Sequence, residues 1–143
     1  NSTPCKIGII EDALPADYDV EDKPSIEDVE KLQDFLAGEL LNKSLFNLAG
    51  TDAVDPRYEV RGSILEFRKG SGVARFFIGF GVGNAKLTVR LELVDAASGK
   101  VLFGGNFKQT VSSWAESGEE TFKRVAKDFA KALEKQVKMR QKA

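Results

Sequence analysis

The sequence predicts an α+β two-layer sandwich in which two helices cover one face of a mostly antiparallel, four-stranded sheet, with the elements in the order β-α-β-β-β-α. Two segments place apolar residues at helical spacing, which predicts the helices. Four other segments are rich in β-branched residues or alternate apolar with polar residues, which predicts strands. Three of these follow one another with no predicted helix between them. Because 143 residues fit one domain, we expect a single domain over residues 1–143.

The first strand and the first helix are predicted from the amino-terminal third of the chain. Residues 6–10 have the sequence KIGII, a short β-branched run that leads into a long acidic loop with two prolines. Ser25 stands three residues before Asp28, which is the arrangement of a capping box at a helix start. The apolar residues that follow predict a helix ending near residues 45–47: Val29, Leu32, Phe35, Leu36 and Leu40.

Three further strands and a second helix are predicted downstream. Residues 58–64 and 85–94 alternate apolar with polar side chains, as half-buried strands do. The turn sequence DAASG at residues 95–99 joins the latter strand to one over residues 101–111, so these two form a hairpin in which Gly104 and Gly105 mark a bulge. A second capping box, SGEE at residues 117–120, begins a helix with this apolar stripe: Phe122, Val125, Ala126, Phe129, Ala130, Leu133 and Val137.

One face of the sheet is predicted to be open to solvent. Each helix has a single apolar stripe, so both helices are expected to cover the same face. The polar strand positions then lie on the opposite face, which carries Arg61, Lys86, Arg90 and Lys108.

The apolar side of two segments changes between even and odd positions. Ile64 gives way to Leu65 and Phe67, and a similar change follows Asn84. Because a one-residue slip reverses every side chain, we expect a bulge near residues 64–65 and another near 83–85. Beyond each bulge the chain is expected to pack against a different surface.

The charge balance argues against a nucleic-acid partner. The formal net charge is −1 and the pI about 5.6, so the molecule lacks a general excess of cations for phosphate contacts. The charge is uneven, with eight acidic residues over residues 11–28 and eight basic residues over residues 123–142. Two explanations remain open: two solvated faces that partly neutralise each other, or an anionic partner for the basic end.

The residue inventory argues against catalysis, metal binding and cofactors. The chain has no histidine, the usual general base near neutral pH and a common metal ligand. Its one cysteine, Cys5, has no histidine to activate it. Two acidic pairs, Glu11 with Asp12 and Glu119 with Glu120, are better explained by a loop and by the first turn of a helix. We expect no enzyme activity, no metal site and no cofactor.

The most unusual segment is KGSGVARFFIGFGVGN at residues 69–84, with five glycines and three phenylalanines. A phosphate cradle is disfavoured because no Gly-Lys-Ser/Thr follows and no helix begins there. Two explanations remain: the aromatic residues fill one end of the domain's own core, or they form a docking surface for a partner. The residues expected to bind that partner are Arg75, Phe76, Ile78, Phe80 and Val82. Trp114 is the one candidate for ligand stacking.

Four stretches between residues 62 and 103 form a recognisable pattern. They are Gly62, RFFIGFGVGNA at residues 75–85, LxVxLxLVD at residues 87–95 and SGKVL at residues 98–102. In these stretches the chain resembles an uncharacterised family of bacterial envelope lipoproteins, the domain of unknown function numbered forty-four ten. The order of elements also resembles the amino-terminal domain of the translocation protein TolB, the curli-secretion lipoprotein and penicillin-binding-protein activators. The latter likeness concerns the fold only.

The resemblance implies an exported, periplasmic protein that is anchored to the outer membrane by a lipid outside this chain. Cys5 does not fit the lipidated cysteine, because residues 2–4 lack the apolar and small residues of a lipoprotein cleavage site. We therefore expect a non-enzymatic interaction or scaffolding domain whose partner is an envelope protein or another copy of itself.

Two alternative functions are kept open. One is a small-ligand or lipid-binding domain with a pocket between Trp114, residues 69–84 and the second helix. The other is a pore-like oligomer, as in the curli-secretion relative. Contact with the membrane is expected only through the lipid anchor.

Overall fold

The computed structural model describes residues 4–18, 23–68, 85–111 and 119–142. Within them the chain forms five strands and two helices in the order β-α-β-β-β-β-α. The elements are β1 (Pro4–Asp12), α1 (Ile26–Asn42), β2 (Leu48–Gly50), β3 (Tyr58–Arg68), β4 (Ala85–Asp95), β5 (Val101–Val111) and α2 (Glu119–Lys142).

The described strands form one mixed sheet in the order β2-β1-β3-β4-β5. β1 runs parallel to both of its neighbours, whereas β3, β4 and β5 form an antiparallel meander. The prediction of four mostly antiparallel strands is therefore corrected to five strands with two parallel pairings. β2 was missed because three residues are too few to show a period of two. The parallel pairs arise because α1 carries the chain back across the sheet, as a crossover helix does.

The start of α1 is as predicted, whereas its end is not. The Ser25 hydroxyl accepts a hydrogen bond from the Asp28 amide at 3.1 Å, and the Asp28 carboxylate accepts one from the Ser25 amide at 2.9 Å. The helix ends at Asn42 rather than near residues 45–47, because Ser44 has a φ of 57° and turns the chain away. Phe46 is buried after this turn, so the apolar pattern continues beyond the helix.

Both helices cover the same face of the sheet, as predicted. The α2 stripe is buried from Phe122 to Leu133, and Val137 is half-buried. On the sheet, the core residues are the apolar positions of β3 and β4, including Val60, Ile64 and Leu91. The predicted open face is also present, since these four cations are half-buried or exposed: Arg61, Lys86, Arg90 and Lys108.

The predicted bulge in β3 lies at Leu65. Ile64 pairs with Val89 and Glu66 with Thr88, which leaves Leu65 without a partner on β4. The expectation of a different packing surface beyond it was wrong. The extra residue compensates the change from even to odd positions, so Phe67 stays in the same core and stacks on Phe122 at 6.1 Å. The second predicted change, near residues 83–85, falls largely outside the described residues.

The bulge expected at Gly104 and Gly105 was also misplaced. Both glycines pair regularly with β4, and the extra residue in β5 is Leu102. Gly104 has another reason to lack a side chain, because its Cβ would lie 2.9 Å from the Arg90 guanidinium. The glycine therefore leaves room for an arginine on the open face.

Candidate functional site

The side chains predicted to bind partners lie outside the described residues, and so does Trp114. The affected docking residues are Arg75, Phe76, Ile78, Phe80 and Val82. The surfaces that the structure does describe are the open sheet face and the two lateral sides of the sandwich, one at β1 and one at β5.

β5 forms an edge of the sheet along its whole length. Ten of its 11 residues pair with β4 on one side, and no described strand lies on the other side. The strand contains no proline and a single charged residue, Lys108. Natural proteins usually protect long edges with prolines, several charges or covering elements, because unpaired backbone groups offer a template for another strand. In the described part of the chain, the feature of β5 that most hinders pairing with another strand is the bulge at Leu102, near one end.

The β1 edge differs from the β5 edge because β2 covers part of it and because β1 is irregular. β2 pairs with Pro4–Lys6 only, so residues 7–12 have no described strand on that side. β1 has one extra residue against β3 between Ile7 and Ile10. This irregularity turns the Ile9 side chain outwards, where it is 79% exposed.

A buried glutamine of α1 holds this irregular point of β1. The Gln33 side-chain amide donates a hydrogen bond of 2.8 Å to the Gly8 carbonyl oxygen. A side chain at Gly8 would be crowded, since its Cβ would lie 3.0 Å from the Val60 carbonyl oxygen. Sequence reasoning missed both residues, although Gln33 was a visible signal: it is the polar residue within the apolar stripe of α1.

An acidic surface surrounds Ile9, and we call the residues Ile9, Glu11, Glu30 and Asp34 the acidic flank. They line one open cleft of about 840 Å³ beside the β1 edge. Glu30 and Asp34 are exposed, and neither forms an ion pair with a described cation. Their spacing of four residues places two like charges together on α1, which destabilises a helix by roughly 0.2–0.5 kcal/mol.

Four other charges in the same cleft form two ion pairs, and Lys6 is a further cation that lines it. On the open face Arg61 bonds to Glu59 at 2.6 Å, and Arg90 contacts Glu92 at 3.3 Å. The charges within each pair neutralise each other, and the three carboxylates of the acidic flank outnumber Lys6, so the cleft has a net negative character.

The opposite side of the sandwich is basic. Lys123, Lys127, Lys131 and Lys135 form an exposed row along α2 at four-residue spacing, roughly 6 Å apart. No ion pair joins any of the four to a described carboxylate. As on α1, such like-charge spacing is unfavourable for a helix that contacts water alone.

Two of these lysines lie towards β5. The Asp128 carboxylate accepts a hydrogen bond of 2.5 Å from the Gln109 side chain of β5, which fixes the side of α2 that faces this edge. Lys131 and Lys135 follow Asp128 by three and seven residues and therefore share that side. Met139 follows Lys135 by four residues, lies on the same side of α2 and is 59% exposed. We call Lys131, Lys135 and Met139, together with the β5 edge, the basic flank.

A small apolar cleft of about 220 Å³ lies between α2, the segment that follows α1 and the ends of β3, β4 and β5. Phe46, Tyr58 and Phe103 form part of its wall, and Arg140 lies at its rim. The predicted ligand pocket involved Trp114 and residues 69–84, which lie outside the described residues.

Of the side chains considered for catalysis, Glu11 and Asp12 are exposed at the end of β1 rather than in a loop, whereas the other three have structural partners or are buried. Glu119 forms an ion pair with Lys31, and Glu120 with Arg124 at 3.5 Å. Cys5 is fully buried, and burial together with the nearby Glu59 carboxylate raises the pKa of its thiol to about 12. A thiol with so high a pKa is not a nucleophile near neutral pH.

Neither described helix is long and apolar enough to cross a membrane. The Cys, Asp and Glu side chains of the described residues do not cluster in threes as a metal site would require.

The family model described as Domain of unknown function (DUF4410) matches residues 19–117, which is more than half of the chain. No curated protein matches the sequence.

Several solved structures have a similar fold. The PelC dodecamer from Paraburkholderia phytofirmans aligns with a TM-score of 0.61 at 15% identity, over 88% of this chain and 87% of that chain. A DUF330 protein from Xanthomonas campestris aligns with a TM-score of 0.67 at 10% identity, over 100% of this chain and 90% of that chain. Lipoprotein GNA1162 from Neisseria meningitidis aligns with a TM-score of 0.50 at 12% identity, over 95% of this chain and 98% of that chain. At these identities the likeness shows the fold alone.

Proposed function

Because the chain belongs to the family described as Domain of unknown function (DUF4410), we propose that it is a non-enzymatic interaction domain of the bacterial cell envelope that assembles with copies of itself. The family match confirms the resemblance predicted from residues 62–103. The likeness to lipoprotein GNA1162 supports a place in the envelope. We propose a periplasmic location, with a tether to the outer membrane through a lipid outside this chain.

The observation that carries the proposal is the long edge at β5, which has no proline, one charged residue and one bulge near its end. A second copy that adds a strand here would satisfy backbone groups along up to 11 residues. It would also cover Phe103 and Phe107, which are only half-buried although both rings contact Phe129. Assembly would thus pair backbone groups of β5 that have no strand partner in the free molecule.

Two further observations support the proposal. PelC from Paraburkholderia phytofirmans forms a dodecamer, so a chain of this fold is able to build an oligomer. The carboxylates of Glu119 and Glu120 and the thiol of Cys5 have the structural roles given above, which supports a role other than catalysis.

A lysine at position 105 tests the role of the β5 edge. Gly105 lies on the helix-covered side of β5, and its Cβ would make ordinary contacts of 3.4 Å and longer. In a free molecule the charged end of Gly105→Lys can reach water past the edge, whereas an added strand would bury it. We expect the wild-type chain to self-associate in analytical ultracentrifugation and Gly105→Lys to be a monomer of similar melting temperature.

Asn106→Lys is the matched control. It adds the same charge at the next position of β5, but Asn106 is exposed on the open face, where the charge stays in water. This variant should retain the wild-type oligomeric state. A wild-type chain that stays monomeric over a wide concentration range would refute the proposal, and so would full assembly of Gly105→Lys.

A further inference from the structure

The two helices of the sandwich carry opposite net charge, and the charges that define the acidic and basic flanks lie towards opposite sides of the molecule. α1 contains five acidic residues and one lysine, whereas α2 contains eight basic and four acidic residues. The acidic flank lies beside β1 and the basic flank beside β5, at the two ends of the strand order. One molecule therefore presents two different and complementary surfaces.

We infer that the basic flank of one copy docks on the acidic flank of the next copy, so that the chain assembles head to tail. This inference rests on the proposed function, and it names the surface that receives the β5 side. Head-to-tail contacts form rings when the rotation between copies closes, and filaments when it does not.

The topology is compatible with this arrangement. β1 and β5 run in the same direction, because β3 is parallel to β1, β4 is antiparallel to β3 and β5 is antiparallel to β4. A second copy can therefore lie beside the first in the same orientation, with the helices of both copies on the same face of the sheets. β5 then lies next to the neighbour's residues 7–12, which no described strand covers on that side.

The side chains on the two flanks also match in kind. Lys131 and Lys135 would meet Glu30 and Asp34, and each pair has the same four-residue spacing on its helix. Ile9 of the acidic flank and Met139 of the basic flank are exposed apolar side chains, and both would be covered in the same contact. An isologous dimer through two β5 edges would instead bring two basic α2 helices together, and like charges across an interface oppose association.

A membrane surface is the competing partner for the lysine row, but it leaves the acidic flank unexplained. Glu30 and Asp34 carry the same like-charge penalty as the lysines, and Ile9 is exposed among them. A second copy accounts for both flanks at once.

Charge reversal of each flank provides the test. One variant carries Glu30→Lys with Asp34→Lys, and the other carries Lys131→Glu with Lys135→Glu. Alone, each variant should raise the dissociation constant of self-association by roughly tenfold or more, because like charges then meet at every contact. An equimolar mixture should assemble again, since each variant retains one native flank and its altered flank complements the other variant's altered flank.

Lys123→Glu with Lys127→Glu is the matched control, because it makes the same charge change at the other end of the lysine row. This control should assemble like the wild type, and circular dichroism melts should show all three variants folded. Assembly of the wild type should also weaken when the salt concentration is raised.

The possible failures are distinguishable. A monomeric wild type refutes the proposed function itself. A wild type that assembles, with variants that dissociate but do not recover on mixing, overturns the head-to-tail arrangement and leaves self-association standing. Unchanged assembly of both variants overturns it too, as does an effect confined to binding of phosphatidylglycerol vesicles, which would identify the lysines as a membrane surface.

Discussion

Gly62 lies in the middle of β3, opposite Leu91 of β4. A Cβ at this position would come within 2.8 Å of the Leu91 Cδ2 atom and 2.9 Å of the Arg90 carbonyl oxygen. The leucine side chain can move, but the backbone oxygen belongs to the paired strand and cannot. The glycine in the family resemblance thus has a steric reason.

Gly62→Ala should therefore lower the free energy of unfolding by roughly 1–3 kcal/mol, the usual cost of an overpacked position. Gly38→Ala is the contrasting variant, because Gly38 is exposed in α1 and nothing lies within 4 Å of its Cβ. There the gain in helix propensity should stabilise the protein by about 0.5–1 kcal/mol. Urea unfolding measures both, and equal effects of the two substitutions would contradict the packing around Gly62.

At the scale of elements, α2 is held to the sheet by aromatic contacts. The Phe129 ring is fully buried and packs edge-on against Phe107 at 5.5 Å and against Phe103 at 6.0 Å. Among the described residues, the contacts on the open face are charged and polar, such as Lys108 with Glu66 at 3.6 Å and Thr88 with Glu66 at 3.0 Å. The two faces should thus contribute very differently to stability.

Phe129→Ala should lower the free energy of unfolding by roughly 2–5 kcal/mol through lost burial and a cavity. Arg90→Ala on the open face should cost less than about 1 kcal/mol, as exposed ion pairs contribute little. Chemical denaturation of the two variants checks the difference. A cost for Arg90→Ala that approaches that of Phe129→Ala would mean that another part of the protein covers the open face.

At the scale of the whole molecule, Cys5 reports on global unfolding. It pairs with Ala49 of β2 and with Tyr58 of β3, so the thiol is released only when the parallel part of the sheet separates. Its pKa is raised from 9.0 to about 12 in the folded protein, mainly by burial. Above pH 9 the unfolded chain therefore loses the thiol proton while the folded chain keeps it.

Since the unfolded state then binds fewer protons, stability must fall as pH rises. The expected contribution of Cys5 is about 1.4 kcal/mol per pH unit between the unfolded and folded pKa values, and none below pH 9. Urea unfolding of the wild type and of Cys5→Ala, compared between about pH 8 and about pH 11, isolates this slope. Parallel pH profiles of the two proteins would show that the thiol is not buried.

Much of the secondary structure could be predicted because local chemistry specifies it. The capping box at Ser25, the alternation along β4 and the apolar stripe of α2 each lie within one short segment. The bulge at Leu65 could also be predicted, since a change of side along a strand is visible in the sequence itself. The open sheet face could also be predicted, because side chains alternate between the two faces of a strand and the polar positions share one face.

The features that the sequence left undetermined depend on contacts between distant segments. β2 has three residues and exists because β1 and α1 place it at the edge. Gly104 was assigned to a bulge because its true neighbour, Arg90, comes from the paired strand. The proposed docking residues of 69–84 lie outside the described part, so the prediction that Phe80 contacts a partner stays a prediction.

The sequence by itself determined which segments are helices and strands, which side of each is apolar, and that acidic and basic residues gather in different parts of the chain. Only the tertiary structure decided that these charges lie on opposite flanks and that β5 is an edge while β1 is bulged and held by Gln33. The reason is physical: periodicity and capping act over a few residues, whereas strand order and lateral position depend on packing between segments far apart in the chain.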